Sequence, residues 1–173
     1  MIQAENSRWD TAREFGFVAL RAALGVIFFA HGAQKLLGWF GGPGFFPTIQ
    51  FFGAQMGVPA PLAILAILTE FLGGIAVLLG VFTRTAGLGL AITMGVAAAK
   101  VHLANGFFMN WMGTPGVGHG IEMNLALGAM ALFLTLAGPG RLALAGDTER
   151  WLVERLQSGS KAKTRHSTQA ASA

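Results

Sequence analysis

Residues 59–80 read PAPLAILAILTEFLGGIAVLLG, an apolar stretch that a single carboxylate, Glu70, interrupts near its middle. A transmembrane α-helix needs about 20 mostly apolar residues to cross the hydrocarbon core of a bilayer. Pro59 and Pro61 suit the first turn of such a helix, where a missing N–H has no helical partner to lose. The stretch therefore predicts a membrane span that carries an acid in its interior.

Three further segments have a similar length and composition, and none shows the short alternating pattern of β-barrel strands. We therefore predict an all-α integral membrane protein whose four helices form a bundle. The three further spans lie at about residues 15–37, 83–104 and 121–138.

The remaining residues flank this four-helix domain, which we place at residues 15–144. Residues 1–14 form an N-terminal arm, and residues 157–173 form a polar tail that we expect to be disordered. Between the domain and the tail, residues 145–156 have an amphipathic pattern. Its membrane-lying face would carry Trp151, Leu152 and Leu156.

The composition agrees with a membrane protein. Hydrophobic residues make up 53% of the 173 residues and charged residues only 12%, about half the charged fraction of a soluble domain. A soluble domain of this size could not bury so much apolar surface. The chain has no cysteine, which excludes disulfides, thiolate metal sites and iron–sulfur clusters.

The basic residues lie where they orient the spans. They occur in the N-terminal arm, at Arg84 between the second and third spans, and after the fourth span, whereas loops 38–58 and 105–120 contain none. Because cytoplasmic loops carry the excess of Lys and Arg, both termini are predicted to be cytoplasmic. The basic residues then act as topology signals and anionic-lipid contacts, and no nucleic-acid partner is expected.

Both predicted outer loops are rich in aromatic residues, including Trp39, Phe51, Phe52, Phe107 and Trp111. Such residues form the aromatic belt that anchors a protein at the membrane surface. They could also surround a mouth through which an apolar molecule enters from the lipid. The two roles are compatible.

Ionisable residues inside a span are costly unless they are paired or hydrated. Glu70 is too short to reach the headgroups, so it is either protonated or has a cationic or hydrogen-bonding partner. It is the strongest functional candidate in the chain. His31, Gln34 and Lys35 follow at i, i+3 and i+4 and so share one face of the first span.

Other polar residues lie near the span ends. Lys100 and His102 are two residues apart on the third helix, about 200° around it, so we expect His102 to point inward and Lys100 to extend toward the headgroups. Glu122 begins the fourth helix, where the helix dipole favours a carboxylate. Asn124 can bond across helices, and the long side chain of Arg21 can reach the headgroups.

These residues predict a polar network in the outer third of the bundle, with Glu70 just beneath it. The network could be purely structural, or it could bind a quinone, whose reduction needs hydrogen-bond donors and a proton supply. Haem ligation by the two histidines is geometrically conceivable but less favoured, and no fixed short spacing supports a metal site. The quinone hypothesis assigns proton exchange to Glu70, His31, His102 and Glu122, and ligand contacts to Lys35, Gln34, Lys100 and Asn124.

Four motifs resemble the DoxX family of small bacterial inner-membrane proteins over about residues 20–144. They are LRAALGVIFFAHGAQKLLGWFGGPG, TEFLGGIAVLLGVFTR with Glu70, AAAKVHLANGFF, and GIEMNLALGAMALFLTLAGPGRLAL. After GPGR at the end of the last motif, members of the family often continue with Ser-Leu-Asp, whereas this chain continues with LALAGD. The resemblance implies a four-helix membrane protein. Some members are associated with quinone-reducing oxidoreductases of sulfur compounds, and others with membrane complexes that respond to oxidative stress.

The leading hypothesis is therefore a cytoplasmic-membrane protein that binds quinone, as a subunit of or an accessory to an oxidoreductase. It would need a redox partner subunit, because no electron-transfer centre is apparent in the sequence. One alternative is a scaffold that recruits a periplasmic protein. Another is a small proton-coupled transporter with Glu70 as the carrier. A homo-oligomer is compatible with each.

Overall fold

The computed structural model describes residues 2–156, and the side chains from residue 10 onward. Within this range the chain is helical, without strands, which confirms the all-α class. The polar tail predicted at residues 157–173 lies outside the described residues. The α-helices are α1 (Ile2–Leu37), α2 (Phe45–Met56), α3 (Ala60–Leu79), α4 (Thr83–Ala97), α5 (Glu122–Ala137) and α6 (148–156).

Three helical stretches are long and apolar enough to cross a membrane: Asp10–Leu37, Ala60–Leu79 and Thr83–Asn105. Helix α5 is apolar but shorter, with 16 residues. The chain is therefore a protein with several candidate membrane helices. That α5 forms a fourth span, and that both termini are cytoplasmic, stay predictions.

The boundaries of α3 follow from local backbone chemistry. Pro59 precedes the first turn of α3, and Gly80 ends the helix with a left-handed φ of 74°, a conformation that glycine adopts without the steric cost of a Cβ. Phe82 also has a positive φ of 47° and directly precedes α4. The turn between α3 and α4 is consequently tight, which makes these two helices antiparallel neighbours.

Helix α4 changes its winding at its far end. Ala98–His102 form a π-helical turn and Leu103–Asn105 a 3₁₀ turn before the chain leaves the helix. Such π turns occur often at functional sites. This one carries Lys100 and His102.

Helix α1 packs along α3, α3 packs against α4, and α4 packs against α5, while α1 touches α5 more lightly. At Gly74 the α1–α3 contact is close enough that an added Cβ would collide with the backbone of Gly25 and Phe29. The core between the helices is apolar and its side chains are almost completely buried. Its members include Leu24, Phe28, Val77, Leu90, Ala131 and Leu134.

Candidate functional site

An ion pair between α1 and α3 provides the partner that the sequence requires for Glu70. The ammonium nitrogen of Lys35 lies 2.6 Å from Oε1 and 2.5 Å from Oε2 of Glu70. Glu70 is only 2% exposed, whereas 26% of the Lys35 side chain remains accessible. Because a buried carboxylate is costly without a partner, this contact explains how α3 accommodates an acid in its middle.

A groove of about 1,100 Å³ runs between α3 and α4, and Lys35 and Glu70 are part of its wall. Lys100 and His102, from the π turn of α4, lie along the same groove. The rest of its wall is predominantly apolar. That wall includes Phe51, Phe52, Met56, Leu65, Leu72, Ile92 and Val96.

Lys100 and His102 differ in exposure, although both line the groove. Lys100 is exposed, while His102 is half-buried, and its Nδ1 lies 2.9 Å from the backbone oxygen of His119. The groove thus carries two amines, one imidazole and one carboxylate among its apolar residues. This combination can hold a largely apolar molecule and also hydrogen-bond to its polar end.

His31 and Gln34 do not join the ion pair, although they share a helix face with Lys35. His31 is exposed, and Gln34 Nε2 donates to the backbone oxygen of Phe40 at 3.4 Å. Only Lys35 reaches Glu70, because α3 approaches α1 on that side. The structure therefore separates three residues that the sequence spacing groups together.

Glu122 and Asn124 are also separate from the groove. The carboxylate of Glu122 accepts a hydrogen bond from the backbone N–H of Met109 at 3.0 Å, which fastens the preceding loop to the start of α5. Asn124 is buried, and its Nδ2 lies 3.7 Å from the sulfur of Met94 across the α4–α5 contact. Both residues contact neighbouring parts of the protein and are not groove-lining residues.

Arg21 has an internal role at the opposite end of the helices. It is 5% exposed, and its guanidinium donates to the backbone oxygens of Pro139, Leu142 and Leu78 at 2.8, 3.1 and 3.4 Å. The prediction that Arg21 reaches the headgroups is therefore wrong. Its side chain instead supplies donors to carbonyls that follow α5 and end α3.

Arg84 makes the second such junction. Its guanidinium lies 2.8 Å from Asp147 Oδ2 and donates to the backbone oxygens of Thr135 and Leu136 at 2.9 and 2.6 Å, near the end of α5. The hydrogen bond from Arg84 lowers the pKa of Asp147, with burial opposing it. Sequence reasoning treated Arg84 only as a topology signal. The acids Asp147 and Glu149, which come before the first basic residue of segment 147–156, were the signal in the sequence that could have indicated a partner for Arg84.

Comparison with known proteins gives a consistent set of relatives. The family model described as DoxX matches residues 16–103. The chain is 34% identical over 131 residues to the Bacillus subtilis protein named "Putative oxidoreductase CatD", covering 76% of this chain and 85% of that one. It is 32% identical over 132 residues to the Escherichia coli inner membrane protein YqjF, covering 76% and 90%. It is 31% identical over 144 residues to the E. coli inner membrane protein YphA, covering 79% and 92%. No solved structure gives a significant match.

Proposed function

This chain belongs to the DoxX family, and from that membership we propose that it is a quinone-interacting subunit of, or accessory to, a membrane oxidoreductase. Its relatives YqjF and YphA are inner membrane proteins, and three of its helices are long enough to span. The chain is thus a multi-pass protein of the bacterial inner membrane. The observation that carries the quinone proposal is the apolar groove with the Lys35–Glu70 ion pair in its wall.

The topology that we propose has four spans and cytoplasmic termini. Helix α5 is the fourth span, because it packs against α4 beside the three longer helices. The basic residues then place the Arg84 end of the helices in the cytoplasm. Lys35, Lys100 and His102 accordingly face the outer half of the membrane.

The shape of the groove suits a lipid-soluble ligand. Its lining extends along α3 from Leu62 to Ala76, roughly 21 Å at the helical rise of 1.5 Å per residue. An isoprenoid tail could lie along this length, against Leu65 and Leu72. The Lys35 ammonium lies beside Glu70 at the middle of α3, and His102 lies at the far end of α4. Each could supply the hydrogen-bond donor that a quinone carbonyl oxygen needs.

The chemistry of the ion pair suits a quinone ring. Reduction of a quinone turns each carbonyl oxygen into a hydroxyl, which consumes protons as well as electrons. Lys35 can donate a hydrogen bond to a carbonyl oxygen, and Glu70 can exchange a proton with the ring or with Lys35. The electrons come from a partner protein that holds a redox centre. The name of the relative CatD is compatible with such an assembly.

Of the four residues that the sequence assigns to proton exchange, the proposal uses Glu70 and His102. Both lie along the groove. Lys35 and Lys100 supply hydrogen-bond donors there. His31, Gln34, Glu122 and Asn124 lie outside the groove lining and have no role in the proposal.

Two glutamates allow a matched test. The protein, purified in mild detergent, is titrated with a short-chain ubiquinone. The protein is then separated from free quinone, and the bound quinone is quantified by its absorbance. Glu70→Gln is expected to weaken binding at least about tenfold, whereas Glu122→Gln should leave it unchanged, since that residue does not line the groove. Unfolding transitions of both variants show whether the fold is intact. If a folded Glu70→Gln variant binds the quinone as well as the wild type does, the proposal fails.

A specific surface supports the scaffold alternative. The loop between α4 and α5 presents Phe108, Trp111 and Met112 to the outside, with exposed fractions of 75%, 71% and 91%. Exposed aromatic residues of this kind also mark protein–protein contacts. Two results together would support the scaffold function instead: the wild-type protein binds no quinone, and the Trp111→Ser variant loses a partner protein that the wild type binds.

A further inference from the structure

Helix α6 is fastened by its first turn to the start of α4. The carboxylate of Glu149 accepts hydrogen bonds from the backbone N–H groups of Arg84 and Thr85 at 3.1 and 2.6 Å. Asp147, just before α6, pairs with the Arg84 guanidinium. These contacts satisfy free N–H groups at the start of α4, and they fix the beginning of α6 at the end of a candidate membrane span.

The position of Glu149 determines which side of α6 faces the membrane. Glu149, Leu152, Val153 and Leu156 follow at i, i+3, i+4 and i+7, so they form one helix face. Glu149 points from this face to the first turn of α4. The three apolar residues continue along the same side and are 40%, 52% and 74% exposed. In the proposed topology, an apolar face in this position lies beside the cytoplasmic boundary of the bilayer.

The remainder of α6 carries Arg150, Glu154 and Arg155. Arg150 and Glu154 form an ion pair of 3.0 Å beside the apolar face, and the Arg155 guanidinium lies 4.7 Å from the centre of the Trp151 ring. Two of the three acids of the segment, Asp147 and Glu149, are bound to the α4 junction. Their charge is thereby offset by Arg84 and the helix start. The Arg150–Glu154 pair is exposed, at 72% and 62% of the two side chains, and exposed pairs are weak, so Arg150 as well as Arg155 can contact an anionic surface.

We propose that α6 lies on the bilayer surface and binds anionic phospholipid headgroups through Arg150 and Arg155. Leu152, Leu156 and Val153, the last in place of Trp151 that the sequence pattern put on this face, enter the boundary of the acyl chains. The Arg84 junction holds the helix at the right depth. Amphipathic helices bind membranes through this combination of apolar burial and attraction to anionic lipids. The proposed topology makes the leaflet cytoplasmic, where anionic lipids attract basic residues. The lipid contact itself does not depend on quinone binding.

The absence of native cysteine makes a site-specific test possible. The full chain carrying either Val153→Cys or Glu154→Cys is spin-labelled and placed in nanodiscs of phosphatidylcholine with phosphatidylglycerol. Residues 153 and 154 are neighbours in sequence on different sides of the helix, and both side chains are well exposed. Accessibility of each label to oxygen, which concentrates in lipid, and to a water-soluble nickel chelate measures its depth.

The label at 153 is expected to favour oxygen over nickel by several-fold, and the label at 154 to show the opposite preference. In nanodiscs of phosphatidylcholine alone, or with Arg150→Gln and Arg155→Gln added, the label at 153 should become more accessible to nickel. Equal access of nickel to both labels would overturn membrane binding. Shielding of the 153 label from both reagents would mean that a protein surface covers α6, which also overturns the proposal. An unchanged depth without phosphatidylglycerol would overturn the headgroup contact.

Discussion

The two ends of the helices both bury charged residues, but they use them differently. At the Arg84 end, Arg21 binds backbone carbonyls at the end of α3 and after α5, Arg84 binds carbonyls in the last turn of α5, and Asp147 completes the junction. Toward the opposite end of the helices, the Lys35 end, the buried carboxylate in the described part of the chain is that of Glu70, which pairs with Lys35 in the wall of an open groove.

The difference lies in what each charge contacts. Backbone carbonyls cannot change their protonation or leave their position, so the contacts of Arg21 fix the fold and little else. A carboxylate and an ammonium group can exchange a proton and can rearrange toward a ligand. The Glu14 carboxylate, which accepts a hydrogen bond from the N–H of Arg141 at 2.5 Å, adds to the bracing of the Arg84 end. The contrast indicates a structural role at one end and supports the binding role proposed for the other.

The largest expected effect comes from breaking the pair at the Lys35 end. Lys35→Met leaves Glu70 buried without its cation, which should cost about 3–5 kcal/mol of unfolding free energy. Denaturant titration in mild detergent measures the loss. The double variant Lys35→Met with Glu70→Leu should regain most of it, because no uncompensated charge remains. Lys100→Met, at an exposed lysine, should change stability by less than about 0.5 kcal/mol.

Removing the buried guanidinium tests the Arg84 end. Arg21→Met leaves the carbonyls of Pro139 and Leu142 without their donor, at an expected cost of about 2–3 kcal/mol. The segment after α5 should also loosen, so trypsin should cleave after Arg141 faster than in the wild type. Arg13→Met is the control, since 63% of that side chain is exposed. If the Arg21→Met variant has the trypsin cleavage rate and the unfolding free energy of the wild type, the contacts of Arg21 with these carbonyls do not stabilise the fold.

A more conservative change separates charge from geometry at the same end. Arg84→Lys keeps the positive charge but cannot bind Asp147 and the carbonyls of Thr135 and Leu136 together, because an ammonium group lacks the planar fork of the guanidinium. We expect a loss of about 1–2 kcal/mol, the net contribution of one or two charge-assisted hydrogen bonds. The exposed Arg150→Lys should be nearly neutral. If Arg84→Lys is as stable as Arg150→Lys, then Arg84 contributes only its positive charge and not the geometry of its guanidinium.

The smallest expected effect is a response to acid at the Arg84 end. The hydrogen bond from Arg84 lowers the pKa of Asp147 in the folded protein. Its contribution to stability is therefore complete above the ordinary aspartate pKa of about 3.9 and is lost as pH falls toward the lowered folded value. Unfolding midpoints measured at decreasing pH should fall less in Asp147→Asn than in the wild type. If the unfolding midpoints of the wild type and of Asp147→Asn change in parallel with pH, the lowered pKa of Asp147 does not contribute to stability.

The fold class was predictable because apolar length is a property of the sequence alone. Residues 59–80 are apolar enough to span a membrane in any arrangement, and they contain helix α3 (Ala60–Leu79). The need of Glu70 for a partner was equally predictable, since burial of a lone carboxylate is costly wherever the helix lies. The identity of that partner was not, because Lys35 and Lys100 both lay at a suitable level.

The contacts of the other polar residues depend on which helices are neighbours in the fold. His31 shares a face with Lys35, yet α3 contacts only the side of Lys35. Arg21 has a chain long enough for the headgroups, but the carbonyls of a segment more than a hundred residues away bind it. Helical periodicity gives the direction of a side chain around its own axis and contains nothing about the element that approaches it.

The sequence by itself determined that this chain is an all-helical membrane protein of the DoxX family with an acid inside its second span, because hydropathy and span length act residue by residue. Only the tertiary structure decided that Lys35 pairs with Glu70, that a groove opens between α3 and α4, and that Arg21 and Arg84 tie the chain after α5 to the other helices. These features arise from contacts between segments far apart in the chain. Such contacts depend on the lateral order and rotation of the helices, which closely packed glycines such as Gly74 help to set.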